Sequence, residues 1–158
     1  MTRQLDAELI GRLRMQVVGR HHLGETPRGG RRIDFLGDGG SFEGPRLRAQ
    51  VKGGIDHMLR TGDGTMRPDV KVVLATAQGE LIYLTYTGTM VGPRDVTQAA
   101  WEGRPTDPTA YTLRTTAVFE TAATDYLWLN RAVCVGYGER YIKDDGSLGI
   151  QFDFYALL

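Results

Sequence analysis

Three acidic residues stand where a carboxylate is costly to hold. Glu43 lies in Gly40-Ser41-Phe42-Glu43-Gly44-Pro45, Asp56 in Gly53-Gly54-Ile55-Asp56-His57, and Glu120 in Phe119-Glu120-Thr121. A carboxyl group in a low-dielectric cavity has a raised pKa and exchanges protons near neutrality. Two such groups with separated pKa values form an acid/base pair. Asp56 is therefore the candidate base, with Glu120 or His57 as its proton partner. The opposing reading is structural: each carboxylate accepts backbone N–H bonds in a neighbouring turn.

Other side chains could complete such a site. Arg114 and Asn130 are the candidates for stabilising a developing enolate-like oxygen. Trp128, Tyr83 and Tyr111 would form the pocket wall, with Phe42 and Glu43 beside it. As a strand, Tyr111–Glu120 would carry Arg114 and Glu120 on one face, lining a polar cavity or facing water. Read the same way, Tyr126, Trp128 and Asn130 share a face, so Asn130 is a buried strut or a ligand-orienting group. Cys134 reads as a small core residue.

Metal and cofactor chemistry find no support. Adjacent His21 and His22 would point to opposite faces of a strand, and a third ligand would have to be His57. One cysteine builds neither a disulfide within the chain nor a multi-thiolate zinc site. Gly37-Asp38-Gly39-Gly40 lacks the Lys and the following helix of a phosphate loop. No dinucleotide fingerprint and no nucleophile elbow is present. The expectation is a site with no metal and no cofactor.

The elements that must position these residues are mainly short strands. The 21 glycines fall in pairs and near-pairs, the punctuation that strands joined by turns require. Leu5, Leu9, Ile10 and Leu13 have helical spacing, so residues 1–13 read as an extension that is helical or begins as a strand. Strand-like runs follow, at Leu13–Leu23, Arg31–Leu36, Ser41–Val51, Ile55–Leu59, Val70–Ala77, Leu81–Thr89, Tyr111–Thr121, Leu127–Tyr141 and Ile150–Leu157. Asp63-Gly64 and Gln78-Gly79 mark tight turns. Proline-rich Pro93–Pro108 is a long loop with room for a helical turn around Val96–Trp101. About eight to ten strands with short connections imply antiparallel neighbours. Strands apolar on both faces favour a closed barrel over a sandwich. The whole chain, residues 1–158, reads as a single barrel domain.

Charge narrows the partners. Nineteen basic and nineteen acidic residues cancel, so neither nucleic acid nor an anionic membrane surface is expected. No apolar run is long enough to span a bilayer. The Met1–Glu8 segment has no apolar signal core, and cysteine is scarce, so the expected location is the cytoplasm. The expected partners are a small organic molecule and further copies of the chain, as a homodimer or larger homo-oligomer.

Several stretches in order resemble one family. They are Gly39–Pro45, Gly53-Gly54-Ile55-Asp56, Asp63-Gly64-Thr65, Phe119-Glu120-Thr121, Tyr126–Arg131 and Val135-Gly136-Tyr137-Gly138. The set, running from about Arg14 to Leu157, resembles the family called domain of unknown function 3237. The resemblance implies an antiparallel β-barrel, similar in outline to allene oxide cyclase or lipocalin-like barrels. It implies no particular activity. It also marks one departure, since His57 stands where the family usually has Trp.

The functional expectation is cofactor-free acid/base chemistry on an apolar or aromatic compound inside the barrel, of isomerase, cyclase, hydratase or lyase type. The alternatives are a non-catalytic carrier of the same molecule and a filled structural barrel that oligomerises. The enzyme and the carrier both require an interior cavity of more than roughly 100 Å³, ligand pockets running to about 300–1,000 Å³, and the acid/base version requires Asp56 and Glu120 to converge on it.

Overall fold

The computed structural model describes residues 2–158. Nine strands form one sheet: β1 (Ala7–Glu25), β2 (Arg31–Glu43), β3 (Arg48–Arg60), β4 (Met66–Arg67), β5 (Asp69–Ala75), β6 (Leu81–Val91), β7 (Thr112–Glu120), β8 (Cys134–Ile142) and β9 (Leu148–Leu157). Every pairing is antiparallel, and β9 returns to β1. Eight strands thus close a barrel in the order β1-β2-β3-β5-β6-β7-β8-β9, while two-residue β4 bridges β3 and β6. An eight-stranded barrel has an interior just wide enough for side chains to fill or for one small ligand.

Alternation decides what enters that interior. Along β7, Leu113, Thr115, Ala117 and Phe119 are buried while Thr112, Arg114, Thr116, Val118 and Glu120 are exposed. Along β5 and β6, Val70, Val72, Leu74, Ile82, Leu84 and Tyr86 point inward. No helix among the described residues is long and apolar enough to cross a membrane.

Helices close the two ends. One, α1 (Arg94–Trp101), lies in the proline-rich loop and buries Thr97, Ala99, Ala100 and Trp101. Its start is held by Arg94, which donates to the Gly62 carbonyl, and its middle by Arg60, which donates to the Gln98 side chain. At the opposite end a 3₁₀ helix (Thr124–Arg131) inserts Leu129, which is fully buried.

The structure decides one open reading and corrects one expectation. Of the two readings open for the start of the chain, residues 7–13 take the strand, and β1 carries a bulge between Leu9 and Gly11. The extra residue puts Ile10 and Leu13 on the buried side three positions apart, which imitates helical spacing. The strand expected over Leu127–Tyr141 starts only at Cys134, so Tyr126, Trp128 and Asn130 share no strand face. Strand boundaries also shift around the glycines: Gly37–Gly40 lie within β2 as a bulge, since Met15 pairs with Gly40 but Val17 with Gly37.

That bulge makes a prediction. Gly39 and Gly40 both have positive φ, at 72° and 117°, but a Cβ on Gly39 would meet open space while one on Gly40 would run into the Arg14 carbonyl. Gly39→Ala should cost about 1 kcal/mol, and Gly40→Ala about 3 kcal/mol or more. Urea unfolding midpoints of the two variants measure the difference, and equal costs would contradict the bulge geometry.

Candidate active site

The barrel interior divides into a plug and a chamber. Towards the 3₁₀ end, Phe42, Phe119 and Phe154 pack edge-on and stacked with ring centroids 5.8–6.4 Å apart. Tyr86 continues this cluster, its ring 5.3 Å from Phe154 and 4.8 Å from Phe152. Towards the α1 end the packing loosens around a chamber lined by Met15, Met58, Met66, Met90, Phe35 and Leu113, with Asp56, Tyr86 and Arg140 in its wall. Its volume is about 40 Å³. That holds water but no organic molecule, so the closed barrel lacks the cavity expected of an enzyme or a carrier. The four methionines are unbranched and adaptable, so they are the side chains that can make room.

Asp56 enters the chamber because of register. On β3 it faces Phe35 of β2 and Val70 of β5, and Val70 in turn faces Tyr86 of β6. Asp56 and Tyr86 thus flank Val70 in one inward row, their backbones about 10 Å apart. Asp56 is 7% exposed, and its Oδ1 accepts the Asp69 N–H at 3.0 Å. Burial pushes its pKa from 3.8 up to about 7. The Asp69 and Asp34 carboxylates push the same way, while the Asp69 N–H and His57 oppose. An Asp in this state exchanges a proton near neutral pH.

Tyr86 is fully buried, and its hydroxyl has no hydrogen-bond partner among the described residues. Burial, and then the nearby Asp56, drive its pKa well upward. It therefore stays a hydroxyl, able to donate to an oxygen in the chamber. At the α1 end, the Arg140 backbone N–H donates to the Tyr111 hydroxyl at 2.8 Å. The Arg140 guanidinium donates through Nη1 to Thr106 Oγ1 at 2.9 Å, in the loop after α1.

The structure keeps Asp56 inside and separates it from its expected partners, so the expected acid/base pair of Asp56 with Glu120 or His57 does not form. Glu120 is exposed on the outer face of β7, across the barrel wall from the interior. His57 also faces outward, its Nδ1–H donating to Asp34 Oδ1 at 2.8 Å. The reason is the two-residue strand period: neighbours of an inward residue point outward. Arg114 lies outside with its guanidinium 4.2 Å from the Tyr137 ring centroid. Asn130 braces the 3₁₀ segment, accepting the Thr121 N–H and donating to the Thr121 carbonyl, both at 2.9 Å.

The expected wall residues scatter likewise. Tyr83 is exposed on β6, and Trp128 is half-buried beneath the Arg46 guanidinium at 3.7 Å. Phe42 belongs to the aromatic plug, and Glu43 is exposed near Arg48 at 3.6 Å. Tyr111 is buried next to Arg140, at the chamber's end. Cys134 is buried in the wall, and burial pushes its thiol up to about 11.

Tyr86 and Arg140 were missed by the sequence reading, although a signal existed for each. In β6, Tyr86 follows Ile82 and Leu84 on the inward face. In β8, Arg140 follows Cys134, Gly136 and Gly138 on a face of small residues, where a long cation has no reason to be unless it faces space. A larger concavity of about 1170 Å³ crosses the outside of the barrel past His57, Arg67, Arg114 and Tyr137. It is open to solvent, which weakens its charged contacts. The chamber holds a carboxyl, Asp56, whose pKa burial moves towards neutrality.

Asp56 ties stability to pH. A carboxyl whose pKa rises on folding favours the fold most below its unfolded value and loses that stability as pH climbs through its folded value. For Asp56 the decline runs from about pH 4 to about pH 7, and it amounts to some 4 kcal/mol. Asp56→Asn keeps an acceptor for the Asp69 N–H without the charge. The variant should match the parent at pH 4 and be more stable by about 2–4 kcal/mol at pH 8.5. Denaturant titrations at the two pH values test this, and a variant less stable than the parent at pH 8.5 would reject the buried-acid assignment.

Four likenesses bear on identity. The model of the family described as "Protein of unknown function (DUF3237)" matches residues 6–157. A UPF0311 protein of Bradyrhizobium diazoefficiens is 28% identical over 141 residues, covering 89% of this chain and 92% of that one. A crystal structure described as a beta-barrel like protein from Acinetobacter baumannii superposes with a TM-score of 0.82 at 28% identity, covering 100% of this chain and 99% of that one. At greater distance, a structure described as an enzyme from Penicillium herquei has a TM-score of 0.70 at 16% identity, covering 100% of this chain and 98% of that one. With its family model matched almost end to end and the same closed barrel in its relatives, this chain belongs to the DUF3237 family.

Proposed function

We propose that the protein is a cofactor-independent enzyme that moves a proton on a small, mostly apolar organic molecule held in the chamber. The observation that carries this reading is Asp56: a carboxyl inside a hydrophobic barrel, with a pKa of about 7 and one backbone hydrogen bond. A structural carboxylate is held ionised by several donors. Asp56 has instead the environment of a catalytic base.

In the reaction, ionised Asp56 takes a proton from an acidic C–H or O–H of the bound molecule. The Tyr86 hydroxyl donates a hydrogen bond to the oxygen on which negative charge develops. Return of the proton to another atom completes an isomerisation or a cyclisation; loss of a leaving group instead makes it an elimination. Tyr86 takes over the part expected of Asn130, because it lies in the same inward row as Asp56, two strands away. The molecule enters as the methionines give way, since the closed volume excludes it. The fold shared with the Penicillium herquei enzyme is consistent with catalysis in this barrel.

Deuterium exchange tests the reading without knowledge of the natural substrate. In D₂O, the protein should speed exchange of the α-protons of acetophenone and 1-tetralone, read by NMR. The rate should rise with pH through about 7 and then level off, because the base works ionised. Asp56→Asn should lower the rate by about 10²–10⁴-fold. Exchange no faster than in buffer, or unaffected by Asp56→Asn, would end this reading.

A further inference from the structure

The chamber has a cation with no counter-charge. Arg140 is 8% exposed and lines the chamber. Its Nη2 is buried and has no hydrogen-bond partner among the described residues. Its Nη1 is engaged by Thr106 Oγ1 and, at 3.4 Å, by the Arg104 carbonyl. Both partners are neutral. No carboxylate among the described residues forms a salt bridge with it, and the Arg20 cation acts against its charge.

Holding a guanidinium out of water without an anion is costly, because a buried charge needs a partner. Arginine does not escape by losing its proton. The expense is therefore one that a fold retains for a reason beyond packing. The loop after α1 fixes Nη1, and Tyr111 fixes the backbone beside it, so the free Nη2 edge is already positioned. The chamber that Arg140 lines has apolar walls, among them Met15, Leu113, Ile150 and Phe152.

We propose that Arg140 is the substrate-recognition residue of the chamber and that it binds an anionic oxygen, so that the molecules accepted are small aromatic or alicyclic acids. The inference rests on the reading of the chamber as the ligand site. It adds what that reading lacks, a group that selects by charge. A bound carboxylate would meet the Nη2 edge at the α1 end while the apolar body lies along the methionines. The reacting part of the molecule then points towards Asp56 and Tyr86.

Benzoate and benzamide separate the possibilities, being alike in shape and different in charge. Binding is followed by titration calorimetry at fixed ionic strength. The parent protein should bind benzoate at least tenfold more tightly than benzamide. Arg140→Gln should lose that preference, and Arg140→Lys, which keeps the charge should the Gln variant not fold, should retain it in weaker form. Arg114→Gln, on the outer face, should bind benzoate as the parent does. Equal binding of the two compounds by the parent would overturn the role of Arg140 and leave the chamber as the ligand site. Undiminished benzoate preference in Arg140→Gln, no preference in Arg140→Lys, or its loss in Arg114→Gln would overturn the role as well. Binding of neither compound would overturn both the role and the chamber reading.

Discussion

Closure of the sheet is the constraint from which everything else follows. Once β9 pairs with β1, each strand residue faces either an interior of fixed width or the outside. One residue step along β3 therefore carries the chain from a buried carboxyl at Asp56 to a half-exposed imidazole at His57. The same period divides β7, so Arg114 and Glu120 cannot reach the chamber while Leu113 can. The bulges matter because each resets this choice. Without the irregularity at Gly37–Gly40, one part of β2 would turn its face relative to β1.

Within that frame the interior is uneven. Five aromatic rings stack against one another at one end and in the middle, where they leave no room. Methionines take over at the α1 end, and the polar groups Asp56, Tyr86 and Arg140 sit among them. Each of the three is held out of water with fewer partners than its chemistry calls for. A barrel selected only for stability would place hydrophobes at these positions, since buried polar groups without full partners cost free energy. The concentration of such costs in one half of the barrel is what sets the chamber apart from the plug.

Much of this was legible beforehand. The spacing of glycines, the β-branched run at Val70–Ala77 and the turn at Gln78-Gly79 all pointed to antiparallel strands, and the barrel follows from them. The helix at Arg94–Trp101 lies where the proline-rich loop left room for one. Asp56 was recognisable because its neighbours are apolar or glycine. Its partners were not, because what faces Asp56 depends on which strands neighbour β3 and in what register. Asn130 misled for a local reason. The Tyr126–Arg131 segment alternates like a strand, yet its amide finds both backbone groups of Thr121 and folds the segment into a 3₁₀ turn.

The lone thiol supplies a probe that the chain already contains. Cys134 is 1% exposed, on the β8 strand that pairs with both β7 and β9. A thiol reagent in solution can meet it only when those ladders part. Its rate of labelling in the folded protein thus reports how often the barrel wall opens, with no tag or substitution required. Loosening of the methionine end alone leaves that wall paired. Labelling at Cys134 and ligand entry at the chamber would thus keep separate clocks, one for the breaking of the barrel and one for its breathing.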